Sequence, residues 1–181
     1  MSKNIKLIIG STRQGRNGKP VSEWLVKQAK DAGFELGVLD LKEINLPFFE
    51  GMSPAMVPPQ TPEGKAWSKM ISETDGFVFL TPEYNGSTSA PLKNAIDYLY
   101  GDWNDKPAAI VSYGFTDGGV TVTRHLNDII QHVKLNNVGQ EMIVKFSRDT
   151  FDDKFQFKDI NDAMNGIKDT FVESLKAIEE A

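Results

Sequence analysis

Strand-like apolar runs recur along the chain at Ile5 to Ile9, Glu35 to Leu39, Gly76 to Leu80, Ala108 to Tyr113 and Gln140 to Phe146. Between them, apolar positions return every three or four residues, the spacing that puts side chains on one face of a helix. After Pro20, a typical first-turn proline, Val21, Trp24, Leu25, Gln28 and Ala32 mark such a face, with Ala29 at its edge. Ala66, Trp67, Met70 and Ile71 repeat the pattern before the third run, and Leu92, Ala95, Ile96 and Leu99 after it. Val122, Leu126, Ile129, Ile130 and Val133 follow the fourth run, and Ile160, Ala163, Met164, Ile167, Phe171, Leu175 and Ile178 predict one closing helix. Strands that alternate with helices predict an α/β fold, a five-stranded parallel sheet with helices on both faces.

One stretch breaks the rhythm. Residues 43 to 63 hold Pro47, Pro54, Pro58, Pro59 and Pro62 with Gly51 and two methionines, so they predict a long ordered loop instead of a regular helix. Because this loop leaves the carboxyl end of the second strand, it is expected to wall a site on the substrate side. The aromatic cluster Tyr98, Tyr100 and Trp103 after the third helix reads either as core or as a patch for self-association, from which Trp103 could reach a cofactor in a partner subunit.

The candidate chemistry sits where strands hand over to helices. The first strand runs into Gly10-Ser11-Thr12-Arg13-Gln14-Gly15-Arg16-Asn17-Gly18, in which glycines free backbone N–H groups, hydroxyls add donors and two arginines offer cationic forks. With a helix start behind it, this is a cradle for one phosphate. Its glycine spacing is not that of a dinucleotide fingerprint, and it lacks the Gly-Lys-Ser/Thr ending of a triphosphate loop. The third strand runs into Pro82-Glu83-Tyr84-Asn85-Gly86, a set suited to a flat heteroaromatic ligand that is covered on one side and hydrogen-bonded along an edge. Turn chemistry alone accounts for Pro82, Asn85 and Gly86 but not for Glu83 and Tyr84. The fourth strand leads to Ser112-Tyr113-Gly114-Phe115-Thr116-Asp117-Gly118-Gly119, where glycines allow close approach and Tyr113 or Phe115 could line a ring.

Charge and composition narrow the field. The 181 residues are the size of one compact domain, and 40% hydrophobic content suits a globular core. A formal charge of −5 argues against general affinity for nucleic acid or anionic membranes, so the basic first loop reads as a local site. The absence of cysteine excludes thiol nucleophiles, disulfides and iron–sulfur ligation, so any electron chemistry needs a bound cofactor. His125 and His132 lack the accompanying ligands of a metal site. Asp152, Asp153 and Asp159 read as solvated, Lys93, Asn94 and Asp97 as capping, paired or exposed. With no signal-peptide pattern or membrane-length apolar run, the expected location is the cytoplasm.

Gly10-Ser11-Thr12-Arg13 with Gly15-Arg16-Asn17-Gly18, and Thr81-Pro82-Glu83-Tyr84-Asn85 with Leu92-Lys93-Asn94-Ala95-Ile96-Asp97, together resemble the NAD(P)H-dependent FMN reductase family, a flavodoxin-like group that includes quinone and chromate reductases. The resemblance extends over residues 4 to about 145. It departs at Ser89-Ala90, where members often carry Pro-Gly or Pro-Ala, and at Arg16-Asn17, where some have a serine. It implies strand order 2-1-3-4-5, in which strands one, three and four end side by side at the switch point. It also implies FMN held by Ser11, Thr12, Arg13, Arg16, Asn17 and Gly18 at the phosphate, by Pro82, Glu83, Tyr84, Asn85 and Gly86 along the ring, and by Ser112, Tyr113 and Gly114 at the pyrimidine side. NAD(P)H would be the co-substrate, with a quinone, free flavin, chromate, azo dye or ferric complex as acceptor. No side chain is expected to act as nucleophile or general acid, and members are commonly homodimers or homotetramers. The alternative is a flavodoxin-type electron carrier that binds FMN without oxidising NAD(P)H, a reading that Arg13 and Arg16 oppose because its phosphate loop is rich in Ser and Thr.

Overall fold

A computed structural model describes residues 2–181. The sheet is parallel throughout and ordered β2-β1-β3-β4, from β1 (Ile5–Ile9), β2 (Leu36–Asp40), β3 (Gly76–Pro82) and β4 (Pro107–Gly114). The fifth position is shared by two short segments, β5 (Asn136–Asn137) and β6 (Met142–Lys145), each paired with β4. The expected order 2-1-3-4-5 therefore holds, while the single fifth strand expected over 140 to 146 is interrupted. The N–H groups of Val138 and Gly139 both point at the Ala108 carbonyl, at 2.9 and 3.3 Å, and a Cβ on Gly139 would lie 2.5 Å from that of Ala109. The edge strand bends inward there on a residue with no side chain, as a bulge does.

Alternating strand residues feed two cores. Ile5, Leu7, Val78, Leu80, Ala109 and Val111 face α1 (Gly18–Asp31), α6 (Ile160–Met164) and α7 (Lys168–Glu180). Ile8, Phe77, Phe79, Ala108 and Ile110 face α3 (Pro62–Ser72), α4 (Ala90–Asp97) and α5 (Val120–His132). The closing helix expected from Ile160 to Ile178 is split, because Asn165-Gly166, two weak helix formers, tighten into a 3₁₀ turn between α6 and α7. Met70, placed by its spacing on a buried face, is 40% exposed.

Trp103 is fully buried, its ring edge against Trp67 and Phe77 and its N–H donating to the Ile96 carbonyl at 3.2 Å. The expectation that it could reach a partner's cofactor is thereby corrected: it belongs to the core. A short helix, α2 (Leu41–Ile44), follows β2, and the chain from Asn45 to Thr61 is irregular, as its prolines require. The α4 side chains pin it. Asn94 accepts from Phe49 N–H at 2.9 Å and donates to the Pro47 carbonyl at 2.8 Å, and Tyr98 donates to the same carbonyl at 2.9 Å. No helix among the described residues is long and apolar enough to cross a membrane.

Candidate active site

The register places Ile9 of β1 beside Asp40 of β2 and Leu80 of β3, so the loop after β1 emerges between two strand ends. Ser89, which caps α4, donates to the Gly10 carbonyl at 2.5 Å and fixes the departure of that loop. Arg16 then folds back. Its fork grips both Asp40 oxygens at 2.6 Å and one nitrogen also donates to the Ser11 carbonyl at 2.6 Å, with the two side chains only 8% and 12% exposed. The expectation that Arg16 offers its fork to a phosphate is corrected: a bidentate carboxylate already holds it, and its role is to brace the loop. That bracing leaves the backbone open. Among the described residues, no N–H from Ser11 through Asn17 donates a hydrogen bond within the protein. The loop thus carries N–H groups without protein partners to the first turn of α1, where the helix start favours an anion.

Arg13 is exposed, makes no ion pair among the described residues and lies with its guanidinium 5.4 Å from the centre of the Tyr84 ring. Thr12 lines a separate pocket with Leu41 and Asn94 and is not among the residues that line the cavity beside Arg13. Gly18 opens α1 where a Cβ would fall 2.9 Å from the Tyr113 hydroxyl, which explains why a glycine stands there.

In the second loop Tyr84 and Ser87 exchange backbone hydrogen bonds at 2.9 and 3.1 Å around Asn85 and Gly86, whose φ values are +54° and +75°. That is a two-residue turn of the type with both central residues left-handed, and it explains the Asn-Gly pair. Tyr84 turns its hydroxyl to Ser11 at 2.6 Å, tying the second loop to the first. Ser87 meets Nδ1 of His125 at 2.8 Å.

In the third loop Tyr113 and Gly114 reach the site, but Ser112 does not: it is fully buried and its hydroxyl accepts from Thr123 at 2.8 Å. The Tyr113 hydroxyl is buried beside the Ser11 hydroxyl and makes no well-formed hydrogen bond. Burial raises its pKa, so it is a neutral donor. Glu83 and Asp117 form a carboxyl pair across the second and third loops. Contact with the Asp117 carboxyl, and then burial, raise the Glu83 pKa; the same contact, with the N–H groups of Gly119 and Thr121, lowers that of Asp117. A group whose pKa is raised on folding contributes stability that is lost as pH rises through the folded value. Glu83→Gln keeps a donor toward Asp117 without titrating, so its melting temperature is expected to gain on wild type as pH rises above the ordinary glutamate range. Parallel melting curves for the two proteins across pH would rule out that contribution.

These loops enclose a cavity of about 560 Å³ at the carboxyl ends of β1, β3 and β4. Ser11, Arg13, Arg16 and Asn17 line one end and Pro82, Glu83, Tyr84, Asn85, Tyr113 and Gly114 the other. Gly18, Gly86 and Ser112 stand behind this lining. Besides Gln14, Gly15 and Thr116, the remaining wall is Phe115, Phe146, Phe151 and Phe155, three of them from beyond β6. The loop over 43 to 63 is not part of it, contrary to expectation, and instead lines a separate pocket of about 280 Å³ with Tyr98. Asp152 and Asp159, expected to be merely solvated, fold the segment that carries this aromatic wall, accepting from Gln156 N–H at 2.9 Å and Asn161 N–H at 2.8 Å. Asp40 and the three distal phenylalanines were not distinguished in the sequence. Strand order supplies a signal for Asp40, because a residue ending β2 must lie against the loop leaving β1.

Residues 4–149 match the family model described as NADPH-dependent FMN reductase. The chain belongs to this family. An NAD(P)H-dependent FMN reductase, ntnL of a Nectria species, is 37% identical over 186 residues, covering 98% of this chain and 88% of the relative. The NAD(P)H-dependent FMN reductase LOT6 of Saccharomyces cerevisiae is 32% identical over 149 residues, 75% and 77% of the two chains. Among solved structures, the flavoenzyme NAD(P)H:(acceptor) oxidoreductase FerB of Paracoccus denitrificans superposes with a TM-score of 0.72 at 23% identity, over 96% and 97% of the chains, a likeness of fold.

The cavity of this reductase fits the family's cofactor. FMN is an anion joined to a flat, hydrogen-bonding heteroring, and the cavity is cationic and rich in free N–H groups at one end and aromatic at the other. Its walls also hold a buried polar atom without a hydrogen-bond partner, the Tyr113 hydroxyl.

Proposed function

We propose that this chain oxidises NAD(P)H and reduces a small acceptor through FMN held in the 560 Å³ cavity. The observation that carries this reading is the row of free N–H groups from Ser11 to Asn17 at one end of a cavity whose other end is Tyr84, Tyr113 and phenylalanine. In it, the loop amides and Arg13 hold the phosphate, Pro82 to Gly86 present a backbone edge to the ring, and Tyr113 and Gly114 bound its pyrimidine side. When bound, FMN supplies the hydride and electron chemistry. The protein's own share is orientation, exclusion of water by the phenylalanine wall, and a fixed electrostatic setting.

The scheme is ping-pong, with nicotinamide and acceptor using one opening in turn, and it needs no protein nucleophile. A quinone, free flavin, chromate, azo dye or ferric complex suits such an opening, because selection by potential tolerates varied shapes. The chain acts as one domain in the cytoplasm. Assembly into a homodimer or homotetramer is supported by Phe48, Met52 and Met56, which are 78%, 71% and 82% exposed on the loop after α2. Anaerobic mixing of the FMN-loaded protein with NADPH is expected to bleach the flavin absorbance rapidly. A protein that stays yellow under NADPH and NADH alike is a carrier, and the reductase reading falls.

A further inference from the structure

Beside the FMN cavity, and sharing Arg13, Gly15, Arg16, Asn17 and Phe155 with it, lies a wider groove of about 950 Å³ between the start of α1 and the segment leading into α6. Its charge opposes that of the chain, whose formal net charge is −5. Besides the two arginines of the first loop, Lys19, Lys27, Lys42 and Lys158 line it, against the carboxylates of Glu23 and Asp159. Some of these cations are already matched. Arg16 is held by Asp40, Lys19 lies 3.5 Å from Glu23, and Lys27 pairs with Asp31 at 2.5 Å. Arg13, Lys42 and Lys158 make no ion pair among the described residues. Asp159 makes no ion pair with them; its Oδ1 caps α6, accepting from Asn161 N–H at 2.8 Å. Unpaired cations gathered by the fold on an acidic protein concentrate a multiply charged anion.

The groove also offers a flat surface at its join with the FMN cavity. Phe155 lines both spaces, is 63% exposed and sits at φ +57°, a conformation that bulky residues rarely adopt. The Arg148 guanidinium lies 4.9 Å from its ring centre and supports it from one side. Exposure and backbone strain together on one aromatic residue are costly to the free protein and are expected where a ligand covers the ring.

We propose that this groove receives the phosphorylated adenosine half of NADPH. Lys42 and Lys158 supply the cations for its 2′-phosphate, and Phe155 lies where the dinucleotide bends toward the FMN cavity. This deepens the reductase reading and rests on it. It also settles a choice between co-substrates: NADH lacks the 2′-phosphate, a group of roughly two negative charges at neutral pH, and leaves Lys42 and Lys158 unmatched.

Calorimetric titration of the FMN-loaded protein with 2′,5′-ADP and with 5′-AMP, which differ only in the 2′-phosphate, tests the groove without turnover. 2′,5′-ADP is expected to bind tighter by roughly tenfold or more, the return from charge-assisted contacts. In Lys42→Gln/Lys158→Gln the preference is expected to fall below about threefold, and in Lys42→Arg/Lys158→Arg to persist. Equal binding of the two nucleotides by wild type, or a preference that survives the double glutamine substitution, overturns the proposal. Displacement of 2′,5′-ADP by inorganic phosphate as readily as by 5′-AMP overturns it too, since the groove would then read charge alone. The visible spectrum separates this failure from a deeper one. A protein that keeps FMN and shows no 2′-phosphate preference loses this inference only, whereas one that retains no FMN loses the cavity reading with it.

Discussion

Asp40→Asn is expected to lower the stability of the protein by about 3 kcal/mol, near the lower end for removing one partner of a buried ion pair. For a chain of this size the melting temperature then falls by roughly 10 °C. The substitution keeps the shape of the side chain but leaves the Arg16 guanidinium buried without a counter-charge, and it replaces a carboxylate that also accepts from the Lys42 N–H at 3.0 Å at the start of α2. Burial pushes the Asp40 carboxyl up, and the Arg16 fork, the Lys42 N–H and the Arg16 charge more than offset it, leaving the pKa below the ordinary range. A carboxylate lowered on folding contributes stability above its unfolded pKa, and that contribution disappears as pH falls through the folded value. The deficit of Asp40→Asn is therefore expected to be full at neutral pH and to shrink in acid, where wild type loses the same interaction. Melting curves at several pH values check this. A deficit that stays constant into strong acid would mean that the pair is not the source. FMN affinity should fall as well, because Arg16 holds the Ser11 carbonyl and with it the orientation of the loop amides.

The strand and helix pattern made the layered sheet legible, because the central strands β3 and β4 are buried on both faces and each long helix on one. It did not reveal the break in the edge strand, which depends on Gly139 meeting Ala109 across strands, nor the 3₁₀ turn at Asn165, where stripe residues on either side kept the helical period. The site was legible where function rests on local order. Asn85-Gly86 is a turn by its residue types, and the free amides of the first loop follow from a glycine-rich exit into a helix. It was not legible where function depends on partners distant in the chain. Arg16 reads as an anion ligand until Asp40, 24 residues later, is seen to occupy its fork. Ser112, near the end of the expected fourth strand, reads as a ligand hydroxyl until Thr123 is seen to donate to it inside the core. The wall of Phe146, Phe151 and Phe155 comes from a stretch with no period of its own, held together by aspartate-capped turns that only the folded chain displays.

Arg13→Ala is expected to separate binding from folding. Arg13 is exposed, and its one specific contact is the Tyr84 ring, so its loss should change stability by about 0.5 kcal/mol or less. For FMN the consequence is much larger, since removing a charge-assisted contact of roughly 1.5 to 3 kcal/mol raises Kd by about ten- to a hundredfold. Arg13→Lys keeps the charge but not the fork and should fall between the two. Wild-type affinity should also decline with added salt more steeply than that of Arg13→Ala, because an exposed cation is screened and an uncharged side chain is not. Fluorescence titration of FMN into each protein at low and high salt, beside melting curves, reads all of these quantities. An Arg13→Ala protein that binds FMN within about threefold of wild type would leave the phosphate to the loop amides alone. The Asp40→Asn protein would then be the more damaged of the two in cofactor affinity, because the amides keep their direction only while the Arg16 clamp is closed.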